Sequence, residues 1–185
     1  MNLKELLVEL KRYYKDADKI EKIIVNCALT AAAADAVGYL VPGVALFTLI
    51  ISCLGAVWAM YIQISRELGV RFGDGMLKAL ASAVLTNIAM NLGGGFVLGL
   101  VSSIVPGLGL VTNTMITFAV IYLSGVMYVN LLVKMLGRYG SIDGIPDDVN
   151  ASTLKKDLSM GKNVMKTIFS QTMKDFAKGV FRMGV

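Results

Sequence analysis

The fold is decided by residues 79–133, which read ALASAVLTNIAMNLGGGFVLGLVSSIVPGLGLVTNTMITFAVIYLSGVMYVNLLV and contain no acidic or basic side chain. A second stretch, residues 23–65, contains only Asp35. A helix on the surface of a soluble protein keeps a polar face with frequent charged side chains, and neither stretch has such a face. The charged residues of this chain are therefore sorted away from two long apolar blocks.

The composition favours a membrane protein over an ordinary soluble domain. Hydrophobic residues make up 56% and charged residues 17% of the chain, compared with about 45–50% and about 25% in soluble domains. Cys27 and Cys53 have no CxxC spacing and are predicted to be packing residues. The chain has no histidine, the commonest general base and a frequent zinc ligand. We therefore expect no catalytic residue, metal site or cofactor, and no enzymatic activity.

Each apolar block is interrupted by the tripeptide Val-Pro-Gly, which contains Pro42-Gly43 in the first block and Pro106-Gly107 in the second. Pro-Gly predicts a turn, because proline cannot donate a helical hydrogen bond and glycine tolerates left-handed backbone. Each block is thus predicted to form a hairpin of two helices. The four arms are residues 23–40, 44–65, 79–104 and 108–133, and each is close to or beyond the length that crosses a bilayer core of about 30 Å.

The predicted fold is all-α, with two hydrophobic helical hairpins and flanking amphipathic helices at both ends of the chain. Apolar residues recur every three or four positions in both tails, which is the spacing of one helix face. The predicted segments are an amphipathic helix (1–22), a membrane-type double hairpin (23–140), a linker (141–150) and a basic amphipathic helix (151–185).

The distribution of basic residues predicts a topology. Lysine and arginine occur before, between and after the two blocks, and neither Pro-Gly turn has one. The positive-inside rule then places both termini on the cytoplasmic side. The first leucines alternate with charged residues, so a cleavable signal peptide is not expected.

Asp35 is the only acidic or basic residue within the blocks and lies near the first turn. A carboxylate inside a bilayer costs about 3 kcal/mol, so such a residue is a candidate for a transport, pore or proton role. The alternative is a local structural contact. Asp35→Asn separates the two, because a proton relay requires titration and a hydrogen bond does not.

Other residues of the blocks are candidates for contacts between helices. Gly95 and Gly99 form a GxxxG pattern, which favours close packing against the other arm or against another subunit. Asn87, Asn91 and Asn113 are candidates for hydrogen bonds across helices or for lining a wet path.

The C-terminal helix is predicted to place a basic face on the membrane surface. Such a face suits anionic lipid headgroups or an acidic protein groove, and the alternative is a solvated face on a helix that packs over the hairpins. The chain has no phosphate-binding loop, and its basic helix lacks the aromatic platforms of a nucleic-acid reader, so nucleic acid is not an expected partner. The basic residues are Lys155, Lys156, Lys162, Lys166, Lys174, Lys178 and Arg182.

Several segments occur in an order that resembles a known family. These are the alanine-rich run that leads to Pro42-Gly43, residues 64–70 (ISRELGV), the glycines of 93–95, and residues 104–109 (IVPGLG). Over residues 23–136 the chain resembles the YcjF-type domain of bacterial inner-membrane proteins, which is often associated with Era-like GTPases. Residues 67–70 lack the aromatic residue that usually precedes the glycine, and no GTPase domain is present in this sequence.

The resemblance implies a helical module of a bacterial inner membrane, with a GTPase among its partners and no catalytic residues to carry over. The first functional hypothesis is a membrane anchor or remodelling module whose partners are the bilayer, a GTPase or other protein, and a second copy of the chain. The second is a pore-forming or toxin-like effector that inserts its hairpins. The third is a soluble helical bundle that binds other proteins.

Overall fold

The computed structural model describes residues 2–38, 45–93, 108–146 and 149–181. The predicted turns at Pro42-Gly43 and Pro106-Gly107 lie outside these residues, as do Gly95, Gly99 and Arg182. Within the helices, the side chains of residues 37, 45–52, 108–113, 151, 152 and 155 also lie outside the described part. Asn113 and Lys155 belong to this last group.

The described residues form α-helices and no strands, which confirms the all-α prediction. There are seven helices in this part of the chain: α1 (Leu3–Leu10), α2 (Asp18–Gly38), α3 (Ala45–Leu68), α4 (Asp74–Leu92), α5 (Leu108–Tyr139), α6 (Ala151–Leu158) and α7 (Lys162–Ala177).

Helix α5 is the centre of the bundle. It contacts each of the other six helices. Its neighbours also contact one another, with α1 against α2, α2 against α3, α3 against α4, and α4 against both α6 and α7. Because α5 is apolar on every side, burial at the centre is the arrangement that removes most of its surface from water.

Helices α3 and α5 run parallel to each other. Tyr61 donates a hydrogen bond of 3.1 Å to the carbonyl oxygen of Ser124, and Ser65 shares one of 2.6 Å with Tyr128. From the first pair to the second, the residue number increases by four in both helices, as it must when two helices run in the same direction. Tyr61 and Tyr128 also stack, with ring centroids 4.1 Å apart.

Helix α2 runs antiparallel to α5. Asp35, near its end, pairs with Thr117, which lies early in α5. Ile24, near the start of α2, lies against Gly125 further along α5. Consequently α2 ends where α3 and α5 begin, at one end of the bundle. Helix α4 follows α3 after a five-residue connection and packs against it, with Lys78 near its start over the Trp58 ring, so α4 runs back toward the same end.

Local sequence signals explain several helix boundaries. Asn2 caps α1 by accepting a hydrogen bond from the backbone N–H of Glu5, and the Glu5 side chain accepts one from the backbone N–H of Asn2. Helices α3 and α5 are each followed directly by a glycine in left-handed backbone, Gly69 at φ 75° and Gly140 at φ 79°. Such glycines terminate helices at little steric cost.

The prediction of four membrane-type arms requires correction. In the part of the chain that the structure describes, two helical stretches are long and apolar enough to cross a bilayer, Asp74–Leu92 and Thr114–Tyr139. The most apolar stretch of the second is 94% buried inside the protein, whereas that of the first is 28% buried. A core helix of a soluble protein satisfies the same criteria of length and composition, and α5 occupies such a core position.

The two tails also differ from their predicted form. The N-terminal segment is a short α1 and a connection, and the charged residues from Asp18 to Lys22 belong to α2. The C-terminal tail is divided into α6 and α7 at residues 159–161 (Ser-Met-Gly). This break lets α6 and α7 follow different parts of the bundle surface.

Candidate functional site

Apart from Asp35, the charged residues of the four long helices lie at one end of the bundle, which we call the charged end. It contains the start of α2, the end of α3, the start of α4 and the end of α5. Ion pairs and hydrogen bonds join the segments that meet there. Lys19 lies 3.1 Å from Glu67, Lys11 lies 2.8 Å from Asp18, and Arg138 of α5 lies 2.8 Å from Asp157 of α6.

Glu67 is the most connected carboxylate of the charged end. Tyr14 donates a hydrogen bond of 2.6 Å to its Oε1. This hydrogen bond, followed by the contacts with Lys19, lowers the pKa of Glu67 below its ordinary value. The same hydrogen bond raises the pKa of Tyr14, because ionisation of the phenol would place two negative charges together.

The opposite end, which we call the uncharged end, is where α2 and α4 end and α3 and α5 begin. The exposed side chains described at this end are small or apolar, and the sequence there contains a single acidic or basic residue, Asp35. The segments that connect its helices, residues 39–44 and 94–107, have no charged residue in their sequence. The exposed residues described at this end are Thr30, Ala33, Ala34, Gly55, Thr86 and Met90.

Asp35 makes a local contact. It is 7% exposed, and the Thr117 hydroxyl donates a hydrogen bond of 3.0 Å to its Oδ2. This pair links α2 to α5 at the start of the uncharged end. This hydrogen bond is a structural contact between two helices, and the transport or proton role of Asp35 stays a prediction.

Of the asparagines predicted to bond across helices, Asn87 and Asn91 contact each other, and the side chain of Asn113 lies outside the described part. Asn91 donates hydrogen bonds to the backbone oxygen of Asn87, at 2.9 Å, and to its side-chain oxygen, so this pair runs along α4. Between α3 and α5, hydrogen bonds cross from helix to helix through the hydroxyl groups of Tyr61, Ser65 and Tyr128. The spacing of four residues places Tyr61 and Ser65 on one face of α3, but the sequence does not show which residues of α5 lie opposite them.

Close helix packing occurs at Gly125, a residue outside the predicted GxxxG pattern. A Cβ atom added to Gly125 would lie 2.8 Å from Cγ1 and from Cγ2 of Ile24. The glycine therefore allows α2 to approach α5 at this point.

Helix α7 packs over the bundle with its apolar face inward. Met165, Ile168 and Phe169 are buried, and the Phe176 ring centroid lies 4.6 Å from that of Phe118 on α5. The described lysines predicted to form the basic face are all exposed: Lys156, Lys162, Lys166, Lys174 and Lys178. Packing over the hairpins is therefore present, and the membrane-surface role of these lysines stays a prediction.

No family model matches the chain, and neither a curated protein nor a solved structure does. The likeness to the YcjF-type domain, with its GTPase partners and bacterial membrane, therefore stays a prediction. Within the described residues there is also no group of three or more His, Cys, Asp or Glu side chains that could hold a metal ion.

A bundle with charges at one end and uncharged, mainly small or apolar side chains at the other is amphipathic along its long axis. The two helical stretches that could cross a membrane give independent but weak support for membrane association. The uncharged end is the candidate functional site.

Proposed function

We propose that the protein is a membrane anchor, which inserts the uncharged end of its bundle into a lipid bilayer and leaves the charged end in water. The separation of charge along the bundle axis carries this proposal. A charged side chain costs about 3 kcal/mol at the centre of a bilayer, so the charges of the long helices set a limit to insertion. In the uncharged end, which would lie beyond that limit, the only charged residue of the sequence is Asp35, and it is buried against Thr117.

The depth of insertion follows from the helix geometry. The wrapping helix α7 reaches the level of Phe118 on α5. From Leu108 to Thr117, α5 continues for about 15 Å, at about 1.5 Å per residue. That distance is about half of a hydrocarbon core of about 30 Å. The described helices therefore favour an end that dips into the bilayer, with α5 remaining the core of the bundle.

The resemblance to the YcjF-type domain suggests in which membrane the anchor would act and which partner it would bind. The anchor would hold its charged end and both tails on the cytoplasmic side of a bacterial inner membrane. There it would present them to a protein partner such as a GTPase, or to a second copy of the chain. Its role would be binding, with no enzymatic activity.

Vesicle flotation of the full chain tests the anchor. Met90, on the uncharged end, and Val8, on α1 in the wrapped half, are 72% and 67% exposed. Replacing either exposed residue with glutamate leaves the core intact. We expect Met90→Glu to weaken vesicle binding at least about 10-fold, because it places a carboxylate in the bilayer, and Val8→Glu to bind like the unchanged protein.

Equal binding by the two variants would contradict insertion through the uncharged end. Recovery of the unchanged protein as a monomer without vesicles or detergent, with no flotation, would instead support the soluble interaction bundle.

One observation favours a second candidate, the pore-forming effector. Helix α5 is long enough to cross a bilayer, and it is covered by α1, α6 and α7, as expected of a hydrophobic segment that is shielded before insertion. Release of a dye from vesicles at low protein-to-lipid ratio separates the two functions. Rapid leakage would support the pore and contradict the anchor, whereas binding without leakage would do the reverse.

A further inference from the structure

We infer that Lys174, in the last turn of α7, and Lys178, the residue that follows this helix, bind anionic lipid headgroups and thereby fix how deeply the uncharged end enters the bilayer. We call these two residues the lower pair, and Lys162 and Lys166 the upper pair. The inference rests on the proposed anchor function and adds to it a class of lipid and a binding surface.

Helix α7 runs along the side of the bundle from the charged end toward the uncharged end. Helix α6, which precedes it, is tied to the end of α5, since Lys134 donates a hydrogen bond of 2.7 Å to the backbone oxygen of Asp157. At its other end, Phe176 packs on Phe118. Helix α7 therefore descends along the side of the bundle from the charged end and stops where the uncharged end begins.

The lysines of α7 and the lysine that follows it are exposed and have no acidic partner among the residues that the structure describes. Lys162, Lys166, Lys174 and Lys178 are all exposed. None of the four forms an ion pair with a carboxylate in the described part of the chain. The acidic residue nearest in sequence to Lys174, Asp175, instead accepts a hydrogen bond of 2.9 Å from Gln171. These ammonium groups are available to an external anion.

Two aromatic side chains lie at about the same position along the bundle axis as the C-terminal end of α7. Because Tyr61 lies opposite Ser124, Trp58 lies close to the level of Ile121 on α5, one turn above Thr117. Trp58 is half-buried: its Nε1 atom is buried without a hydrogen-bond partner in the described residues, and Lys78 Nζ lies 5.9 Å from its ring centroid. Tyr122 is half-buried one residue further along. Tryptophan and tyrosine are enriched where the hydrocarbon meets the headgroups.

Electrostatic attraction to the headgroups reaches the lower pair of lysines and not the upper pair, because salt screens charges over a short distance. Along α7, Lys166 lies about 12 Å and Lys162 about 18 Å above Lys174, from the helix rise. At physiological salt the screening length is about 8 Å. With Lys174 and Lys178 at the headgroups, the upper pair is largely screened from them. Lys162 and Lys166 are therefore a matched control on the same helix, with the same charge and exposure.

The experiment compares two double variants of the full chain, Lys174→Gln with Lys178→Gln and Lys162→Gln with Lys166→Gln. Binding is measured to phosphatidylcholine vesicles with and without about one-third phosphatidylglycerol, with circular dichroism as the check of folding. A lysine near an anionic surface contributes about 1 kcal/mol, which is about fivefold in affinity. We expect the lower-pair variant to bind anionic vesicles about 30-fold more weakly than the unchanged protein, and the upper-pair variant to stay within about threefold.

Several outcomes would overturn the inference. If both double variants lose anionic binding equally, or neither loses any, the lower pair has no special position. If Met90→Glu still abolishes binding to neutral vesicles while the lysine variants change nothing, the anchor stands and the headgroup site does not. If both double variants weaken binding of poly-glutamate without vesicles and leave vesicle binding unchanged, the basic face serves an acidic protein. Absence of vesicle binding by the unchanged protein would overturn the anchor itself.

Discussion

Among single side chains, Glu67 joins the largest number of segments at the charged end. It belongs to α3, accepts a hydrogen bond from Tyr14 in the connection after α1, and pairs with Lys19 in the first turn of α2. Its side chain remains 30% exposed, so water weakens each of these contacts. The contacts favour the ionised carboxylate, and their contribution to stability must therefore depend on pH.

The pH dependence has a definite sign. The pKa of Glu67 in the folded protein is lowered, first by the Tyr14 hydrogen bond and then by Lys19. Its stabilising contribution is therefore complete above its ordinary pKa of about 4.3 and is lost as the pH falls through the lower folded value. We expect Tyr14→Phe to reduce the free energy of unfolding by about 1 kcal/mol at pH 7 and by clearly less at pH 3, as measured by urea denaturation.

Tyr13→Phe is the control for this measurement. Tyr13 is the neighbouring half-buried tyrosine, and its hydroxyl has no hydrogen-bond partner among the residues described. Its substitution should have a small effect that is the same at both pH values. A loss for Tyr14→Phe that is equally large at pH 3 would show that the hydrogen bond to ionised Glu67 contributes nothing.

The sequence indicates some of these individual contacts and not others. Asp35 attracts attention because it is the only charge in its block, and its position near a turn already favours a local contact. Its partner Thr117 is 82 positions away in the chain, and no spacing rule connects residues so distant. The buried hydroxyl contacts of Ser65 and Tyr128 were missed for the same reason, since they depend on the relative register of α3 and α5.

Among the helices, the close approach of α2 to α5 depends on Gly125. Ile24 is fully buried and β-branched, so it has little rotamer freedom with which to avoid an added methyl group. We expect Gly125→Ala to reduce the free energy of unfolding by about 1–3 kcal/mol, the usual cost of overpacking a core. Urea denaturation measures this loss directly.

A double-mutant cycle with Ile24→Ala provides the control. Ile24→Ala alone removes buried methyl groups and should itself destabilise the protein by about 2–5 kcal/mol. In the Gly125→Ala background it should cost less, because the cavity it opens accommodates the new methyl group. Strictly additive effects would show that the contact between the two residues does not limit the approach of the helices.

The arrangement of the helices was only partly predictable from the sequence. The positions of α3, α4 and α5 follow from long apolar runs that end near charged residues or glycine, and the amphipathic tails follow from their periodicity. The central place of α5 does not follow, because an uncharged helix surrounded by lipid and one surrounded by other helices have the same sequence pattern. The difference is made by α1, α6 and α7, whose apolar faces cover α5, and a periodicity shows that such a face exists without showing what it covers.

For the complete bundle, the difference between dipping into a bilayer and spanning it can be measured with Trp58. Trp58 is the only tryptophan of the chain, so its fluorescence reports on one place. In the anchored orientation it lies about 6 Å above Thr117, from the helix rise, and therefore close to the headgroups. We expect lipids brominated near the top of the acyl chain to quench its fluorescence more strongly than lipids brominated near the bilayer centre. Stronger quenching from the centre would place the middle of the bundle inside the hydrocarbon, as in a spanning protein, whereas no quenching by either lipid would contradict insertion of the uncharged end.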